Sequence, residues 1–347
     1  DPYRWLEDTE SDETADWVKA QNKVTFDYLH RIETRQPIAE RLTTLWNYER
    51  FGRPFKRGEY YFYSHNDGLQ NQSVLYVTDS LDGESRILLD PNQWSSDGTK
   101  ALSSYSPSPN GKLMAYSVSS AGSDWREWHV LNVETGEKLK DHIQWSKFSS
   151  ASWAHDNSGF YYSRYDEPKE GEEFSGTNYF QKLFFHKIGT PQSDDKLIYQ
   201  RDDEKEWGFG GYVTEDGRYL LISVWQGSDR KNQLFYKDLS DPDADVVELI
   251  SGFDADYDFI GNDGNRFWIL TDLEAPQKRV IQINLSKPDR KNWQTLIAES
   301  KHRLEGVSNT GGHFIVQYLQ DAQNRVYVFS EEGKQIREVK LPGVGST

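Results

Sequence analysis

The sequence predicts a mainly β protein built from repeated four-stranded units and preceded by a helical segment. Aromatic residues make up 14% of the 347 residues, and 26 glycines accompany them. This composition is typical of strands joined by tight turns. A glycine-containing turn recurs six times, at intervals of 47 to 58 residues. Repeats of this length, each with short antiparallel strands, predict the blades of a β-propeller.

Each of these turns is followed by three short β-type runs, and the segment before each later turn supplies a fourth strand. Period-2 alternation within the runs excludes helical repeats. The turns contain Gly58, Gly111, Gly159, Gly217, Gly264 and Gly312. We expect six complete units over residues 51–347, and Leu341–Thr347 has the character of the start of a seventh. Because an unfinished ring leaves open sheet edges, the sequence is expected to stop inside a larger protein.

Residues 1–50 have a different pattern, which predicts two helices. Ser11 and the acidic residues after it suit the start of a helix. The first helix has an apolar face formed by Trp17, Ala20, Val24 and Tyr28. A second helix is predicted to begin near Pro37, and its apolar face is formed by Ile38, Leu42 and Leu45. We therefore divide the chain into a helical segment, 1–50, and a propeller, 51–347, and expect the helices to pack on the residues that come after them.

The charge and the cysteine count exclude several classes of protein. With 56 Asp and Glu against 40 Lys and Arg, the net charge is −16, which argues against nucleic-acid and anionic-membrane partners. No run approaches the roughly 20 apolar residues of a membrane span, and no targeting segment is visible. The absence of cysteine excludes disulfides, thiolate metal sites and a Cys nucleophile, but it leaves both cytoplasm and periplasm open.

Motifs for catalysis, metals and cofactors are missing from the sequence. Residues 306–310 come nearest to Gly-x-Ser-x-Gly but lack the second glycine, and no His-Glu-x-x-His or phosphate loop is present. The acidic segments 241–245 and 254–258 do not fit a calcium loop, so we predict no metal and no cofactor. The histidines are scattered, and none is paired at ligand spacing: His30, His65, His129, His142, His155, His186, His302 and His313. Each is expected to be a surface or strand residue rather than a base.

Several motifs together carry a resemblance to a known family. Residues 120–125 and 226–229 both contain Gly-Ser-Asp, which is ordinary turn sequence but could also form an interaction surface where propeller loops converge. Asp-Pro-Tyr-Arg-Trp-Leu-Glu-Asp at 1–8 and Gly-Leu-Gln-Asn-Gln at 68–72 are more specific. With these motifs the chain resembles, from end to end, the N-terminal half of the prolyl oligopeptidases, serine peptidases that cut short peptides after proline.

The resemblance implies a seven-bladed propeller that caps an α/β-hydrolase domain. Residues 1–50 would pack on that domain, and about six of the blades would be present. The family's Ser, Asp and His triad would follow Thr347, so no catalytic residue is assigned and this chain alone is expected to be inactive. The implied partners are a proline-containing oligopeptide and the hydrolase domain of the same polypeptide, in a monomer.

Four residues of this sequence match binding or interface positions of the family. Phe148, in Lys-Phe-Ser, matches a phenylalanine that lines the apolar pocket two residues before the proline site, and Ser228 falls where some relatives carry Cys. A third wall residue falls at Gly208 or Phe209, and Phe209 is favoured because an apolar wall is needed. Asp124 matches an acid that pairs with an arginine of the hydrolase domain.

Two other functions stay open at this point. One is a non-catalytic propeller that serves as a scaffold for a protein partner, although the Gly-His and Trp-Asp signatures of such repeats are missing. The other is a propeller glycosidase with two channel carboxylates, but no spacing selects the pair. A serine elbow followed by Asp and His beyond Thr347 would favour the peptidase, and a stop codon there would favour the scaffold.

Overall fold

The structure is mainly β, as the sequence predicts. It is a computed structural model, and it describes residues 1–173, 176–343 and 345. The chain forms two compact units, residues 1–55 with 61–94 and residues 56–60 with 95–347. The six predicted repeats are confirmed as six antiparallel sheets, which we call blades 1 to 6 in chain order. Within the described residues, no helix has the length and apolar character needed to cross a membrane.

The two predicted helices and blade 1 come first in the chain. Helix α1 spans Asp12–Leu29, and the side chain of Ser11 caps it by accepting a hydrogen bond from the Thr14 amide. Helix α2 spans Arg35–Trp46. The strands of blade 1 are β1 (Arg50–Phe51), β2 (Phe55–Arg57), β3 (Tyr60–Asn66), β4 (Val74–Thr78) and β5 (Arg86–Leu89).

The apolar faces of both helices stay exposed. Val24 is 68% exposed and Tyr28 is 63% exposed on α1, and Ile38 and Leu45 on α2 are also more than half exposed. The structure therefore differs from the expectation that these faces pack on the residues that come after them. A contiguous exposed apolar surface typically marks a place of association.

Blades 2 to 6 belong to the second unit, and each is a meander whose strands pair in sequence order. Blade 2 consists of β6 (Lys100–Pro107), β7 (Leu113–Ser120), β8 (Arg126–Asn132) and β9 (Lys138–Ser146). Blade 3 consists of β10 (Ser152–Trp153), β11 (Gly159–Arg164), β12 (Lys182–Lys187) and β13 (Lys196–Tyr199). Blade 4 consists of β14 (Trp207–Val213), β15 (Tyr219–Gln226), β16 (Asn232–Asp238) and β17 (Val247–Ile250).

The last two blades repeat this arrangement. Blade 5 consists of β18 (Tyr257–Asp263), β19 (Arg266–Thr271), β20 (Arg279–Asn284) and β21 (Gln294–Ile297). Blade 6 consists of β22 (Arg303–Thr310), β23 (His313–Gln320), β24 (Gln323–Ser330) and β25 (Gln335–Val339). The predicted start of a seventh unit at 341–347 cannot be followed further, because residues 344, 346 and 347 lie outside the described residues.

The core of the second unit lies between successive blades. One cluster joins Trp128 of blade 2 to Phe160 of blade 3, and the next joins Leu183 of blade 3 to Phe235 of blade 4. Similar clusters join blade 4 to blade 5 and blade 5 to blade 6. Because neighbouring blades cover both faces of the middle strands, a strand such as β15 is a nearly continuous apolar run. Full burial of each large apolar side chain contributes about 1.5–3 kcal/mol.

The predicted turns join the first strand of a blade to the second. Gly217 has a φ of 74°, in the left-handed region that residues with a side chain rarely adopt. In blade 3 the left-handed position is taken by Asn157 instead, with a φ of 62°. Gly159 is needed there for space, because a Cβ at this position would lie 2.0 Å from the carbonyl oxygen of His186.

Candidate functional site

The candidate site lies at one end of blades 2 to 4. In a four-stranded meander, the loop between the second and third strands and the loop that leads to the next blade fall at the same end of the sheet. The loops that share this end, which we call the loop end, are 121–125, 147–151, 165–181 (174 and 175 excepted), 200–206 and 227–231. Both Gly-Ser-Asp segments belong to the loop end, as the sequence suggested.

Three bulky residues in or beside the loop end have a left-handed backbone. The φ angle is 53° at Phe148, 58° at Phe180 and 62° at Trp145. This conformation costs a residue with a Cβ about 1–2 kcal/mol, and it is commonly retained at ligand-binding sites. Phe148 is 52% exposed and Phe180 is 40% exposed, so both rings are available to a ligand.

Lys147 is held in place beside Phe148. Its Nζ lies 3.8 Å from the centroid of the Trp125 ring, and its backbone carbonyl accepts a 2.9 Å hydrogen bond from Gln181 Nε2. Burial lowers the pKa of the Lys147 ammonium, and the charge of Asp124 opposes this effect. The cation–π contact compensates for part of the lost hydration, by about 2 kcal/mol at a desolvated site.

The Trp125 ring that supports Lys147 is anchored in turn by the next loop. Its Nε1 donates a 2.6 Å hydrogen bond to the carbonyl of Glu173. The ring also meets Trp145 and Tyr165 edge-on, with centroids 5.5 and 6.2 Å apart. Loops of blades 2 and 3 are therefore joined by an aromatic cluster beside Lys147.

Gln181 connects three blades at the loop end. The side chain is 1% exposed. Its Nε2 donates to the Lys147 carbonyl, and its Oε1 accepts a 2.6 Å hydrogen bond from the amide of Phe209 in β14. Sequence reasoning missed this role, because a glutamine beside a strand is usually solvated. Only the fold shows that its amide group is buried and paired at both ends.

Two of the predicted site residues are neighbours at the loop end. Phe148 directly follows Lys147, and Asp124 is exposed in the 121–125 loop and close enough to act on the Lys147 charge. This places an exposed aromatic ring, a cation and a carboxylate on adjacent loops. The roles of Phe148 and Asp124 toward a ligand or a second domain stay predictions.

The other two predicted residues are placed differently. Ser228 is exposed in the 227–231 loop, and no contact among the described residues joins it to Phe148 or Asp124. Phe209 is 1% exposed and packs edge-on against Tyr199, with centroids 5.3 Å apart, in the core between blades 3 and 4. This differs from the expected pocket wall, because a ring on the buried face of β14 has no surface for a ligand. The contact of Phe209 with the loop end is its backbone amide, which donates a hydrogen bond to Gln181.

Two histidines of blade 2 come together, although no histidine pair was expected. The register of β8 and β9 places His129 opposite His142, and the two rings stack with centroids 4.9 Å apart. Both are strand residues, as expected, and their separation along the chain gave no sign of this pair. Strand pairing brings together residues that are far apart in the sequence.

His186 in blade 3 forms a buried charged network. Its Nδ1 lies 2.6 Å from a carboxylate oxygen of Asp195, and its Nε2 lies 3.0 Å from one of Asp141 in blade 2. Burial disfavours the imidazolium, but hydrogen bonds to these two carboxylates and their charges outweigh it and raise the pKa of His186 to about 9. Tyr162 also donates a 2.6 Å hydrogen bond to Asp195. Because the group is buried and joins two blades, we interpret it as structural.

The blades and their loop end together define a β-propeller domain with an exposed aromatic and charged surface. The family described as "Prolyl oligopeptidase, N-terminal beta-propeller domain" matches residues 1–347. The chain therefore belongs to this family, and the resemblance seen in the sequence is confirmed.

Named relatives agree with this assignment. The chain is 42% identical to the prolyl endopeptidase of Elizabethkingia meningoseptica, over 100% of this chain and 48% of the relative. It is 32% identical to the prolyl endopeptidase of Dictyostelium discoideum, over 100% of this chain and 54% of the relative. The chain thus spans about half the length of the curated relatives it matches.

Solved structures give the same result. Prolyl oligopeptidase B from Galerina marginata, described as bound to a 35mer hydrolysis and macrocyclization substrate, has a TM-score of 0.91 and 31% identity to this chain. The match covers 99% of this chain and 51% of that one. A second structure, from a study of two prolyl endopeptidases and their inter-domain dynamics, has a TM-score of 0.80 and 36% identity, and it covers 100% of this chain and 50% of its own.

Proposed function

We propose that this chain is the gating, substrate-selecting part of a serine endopeptidase that cleaves short peptides on the carboxyl side of proline. The observation that carries the proposal is the family match over residues 1–347. The names of the relatives support it, because they are prolyl endopeptidases from a bacterium and an amoeba. The peptide substrate reported for the Galerina enzyme supports the substrate class.

In this proposal, an α/β-hydrolase domain of the same polypeptide supplies the reacting groups. Its Ser attacks the peptide carbonyl, its His accepts and returns the proton, its Asp orients the His, and an oxyanion hole stabilises the tetrahedral intermediate. The propeller covers these groups and excludes folded proteins, and an opening motion admits peptides. Residues 1–347 alone are proposed to be inactive. The exposed apolar faces of α1 and α2 support the partner, because a second domain would cover them.

The loop end is proposed to face the peptide. Phe148 would contact the side chain two residues before proline. Ser228 would contribute a polar side chain to the wall of this pocket. Phe209 would support the pocket wall through its backbone. Asp124 would pair with an arginine of the hydrolase domain and contribute about 0–1 kcal/mol if the pair is exposed. We further propose a monomer in the cytoplasm or periplasm. With a net charge of −16, no nucleic-acid or membrane partner is proposed.

A peptidase assay on two proteins tests the activity. The polypeptide that joins this chain to its hydrolase domain is expected to cleave a Gly-Pro reporter peptide after proline, and a serine-directed reagent should abolish cleavage. Residues 1–347 alone should leave the reporter intact. Reagent-sensitive cleavage by residues 1–347 would contradict the missing triad. Lack of cleavage by the longer polypeptide would favour the non-catalytic scaffold.

Phe148→Gly in the longer polypeptide tests the loop end. Because glycine adopts a φ of 53° without strain, folding stability should be unchanged or higher by up to about 1 kcal/mol. Loss of the ring should raise KM about tenfold for reporters with an apolar residue two positions before proline, with kcat unchanged.

Ala322→Gly is the matched control for this variant. Ala322 is exposed and left-handed, with a φ of 59°, in the turn between β23 and β24. Its replacement relieves the same kind of strain but should leave KM unchanged. An unchanged KM in Phe148→Gly would remove Phe148 from the proposed pocket.

A further inference from the structure

Blade 2 carries three side chains with the composition of a transition-metal site. Glu127 and His129 are two residues apart on β8, so they point to the same face of the sheet. His142 on β9 lies directly opposite His129. One ligand atom of each of the three residues lies within 4.8 Å of those of the other two.

The ligand atoms are close enough to one another for a single zinc ion to bind all three. Glu127 Oε2 and His142 Nε2 are 2.7 Å apart, at hydrogen-bond distance. Bonds of about 2.0–2.2 Å to tetrahedral Zn²⁺ place neighbouring ligand atoms about 3.3–3.6 Å apart. Glu127 and His142 are exposed and can rotate about their side-chain bonds to reach this spacing around the buried His129 ring.

His129 has a ring nitrogen that nothing in the fold uses. The residue is 8% exposed, and its Nδ1 is buried without a hydrogen-bond partner among the described residues. Buried polar atoms are nearly always paired, so an unpaired one calls for an explanation. A ring nitrogen with a free lone pair is what an imidazole offers to a metal ion.

We propose that Glu127, His129 and His142 bind one Zn²⁺ ion, which links β8 to β9 at the surface of blade 2. Two imidazoles and one carboxylate favour zinc over Mg²⁺ or Ca²⁺, which prefer sites made of oxygen ligands only. The side chains of Glu127 and His142 are 51% and 43% exposed, so an ion can enter from solvent and retain a water as its fourth ligand. The site does not depend on the proposed peptidase function.

The charges around the site make the carboxylate essential. Lys138 and Lys100 both disfavour a positive charge at His129, whereas Glu127 favours it. Removal of the Glu127 charge should therefore weaken binding as strongly as removal of an imidazole. Glu127→Gln keeps the size of the side chain and one oxygen, so it isolates the contribution of the charge.

Zinc binding can be measured on residues 1–347 after treatment with a chelator that is then removed. Titration calorimetry with ZnCl2 should show one site per chain, and saturating Zn²⁺ should raise Tm by a few degrees while MgCl2 does not. Co²⁺ in place of Zn²⁺ should give the visible absorption of a site with nitrogen ligands. His142→Gln and Glu127→Gln should each weaken binding more than about tenfold.

His313→Gln is the control, because it removes an exposed imidazole from blade 6. It should leave the zinc affinity and the Tm shift unchanged. Both test variants change exposed residues, so they are expected to fold, and the circular dichroism and Tm of each without metal establish this. If ZnCl2 produced no saturable binding, or if it bound His142→Gln as tightly as the unmodified chain, the proposal would be wrong.

Discussion

His186 and His129 are two buried histidines on the third strands of neighbouring blades, and their environments are opposite. Both nitrogens of His186 face carboxylates, and its pKa is raised to about 9. His129 has an unpaired Nδ1 and positively charged neighbours, and its pKa is lowered to about 4. Burial lowers the pKa of both side chains, so the difference comes from the groups that surround them.

The comparison separates a completed polar network from an incomplete one. Asp141 accepts a further hydrogen bond from the Gly189 amide, and Asp195 accepts one from Tyr162, so every partner of His186 is itself held. Such a network fixes the contact between blades 2 and 3. In the cluster around His129, Glu127 and His142 are paired at 2.7 Å, but Nδ1 of His129 has no hydrogen-bond partner among the described residues, and for that reason we assign the cluster a ligand.

The largest expected effect comes from removal of each histidine. His186→Leu leaves two carboxylates buried without their cation and should lower the free energy of unfolding by about 3–5 kcal/mol. His129→Leu removes an unpaired nitrogen and should cost less than about 1 kcal/mol in metal-free protein. Urea unfolding of both variants measures the difference. Equal losses in the free energy of unfolding would show that the paired network around His186 is no more stabilising than the incomplete cluster around His129.

The sequence predicted the blades because turn chemistry and strand alternation are local. Gly217 and Gly264 mark hairpins that need a left-handed residue, and the runs after them match β15 and β19. The amphipathic pattern did not predict the exposed faces of α1 and α2, because it is the same whether the partner surface lies in the described chain or elsewhere, and only the family resemblance implied a partner domain outside this chain.

The polar sites could not be predicted, because they depend on strand register and on contacts between blades. His129 and His142 are opposite each other, but register shifts interrupt the ladder on both sides of Trp128 and His129. Because of these shifts, the two-residue alternation of side chains along β8 and β9 does not predict that these two histidines are opposite each other. Gln181 is similar, since its two partners lie in loops and strands of other blades. Motif resemblance suggested Phe148 and Asp124, which lie in loops with recognisable sequence, and their roles stay predictions.

The pH dependence of stability is the second way to test the comparison. His186 binds its proton more tightly in the folded chain, so its contribution is complete below about pH 6.5 and is lost as the pH rises to about 9. For His129 the folded pKa is lower, so its contribution is present above about pH 6.5 and is lost as the pH falls to about 4. Each change should be on the order of 3 kcal/mol.

Urea midpoints between pH 4 and pH 9.5 measure both limbs of this profile. His186→Leu should flatten the alkaline limb and leave the acid limb unchanged. His129→Leu should do the reverse. If one variant altered both limbs equally, the two histidines would be coupled rather than independent.

The smallest expected effect tests whether completed hydrogen-bond networks stabilise the blades more than incomplete ones when the groups are neutral. Gln181 has both ends of its amide paired, whereas buried Gln233 accepts a 3.0 Å hydrogen bond from the Gly252 amide and leaves its Nε2 unpaired among the described residues. Gln181→Leu should lower the free energy of unfolding by about 2–3 kcal/mol, because the Lys147 carbonyl and the Phe209 amide lose their partner. Gln233→Leu removes one hydrogen bond together with one unpaired group, so it should cost about 1 kcal/mol or less. Urea unfolding of the two variants under identical conditions measures both losses in the free energy of unfolding. A greater loss in Gln233→Leu would contradict the rule that completed networks carry the stability of the blades.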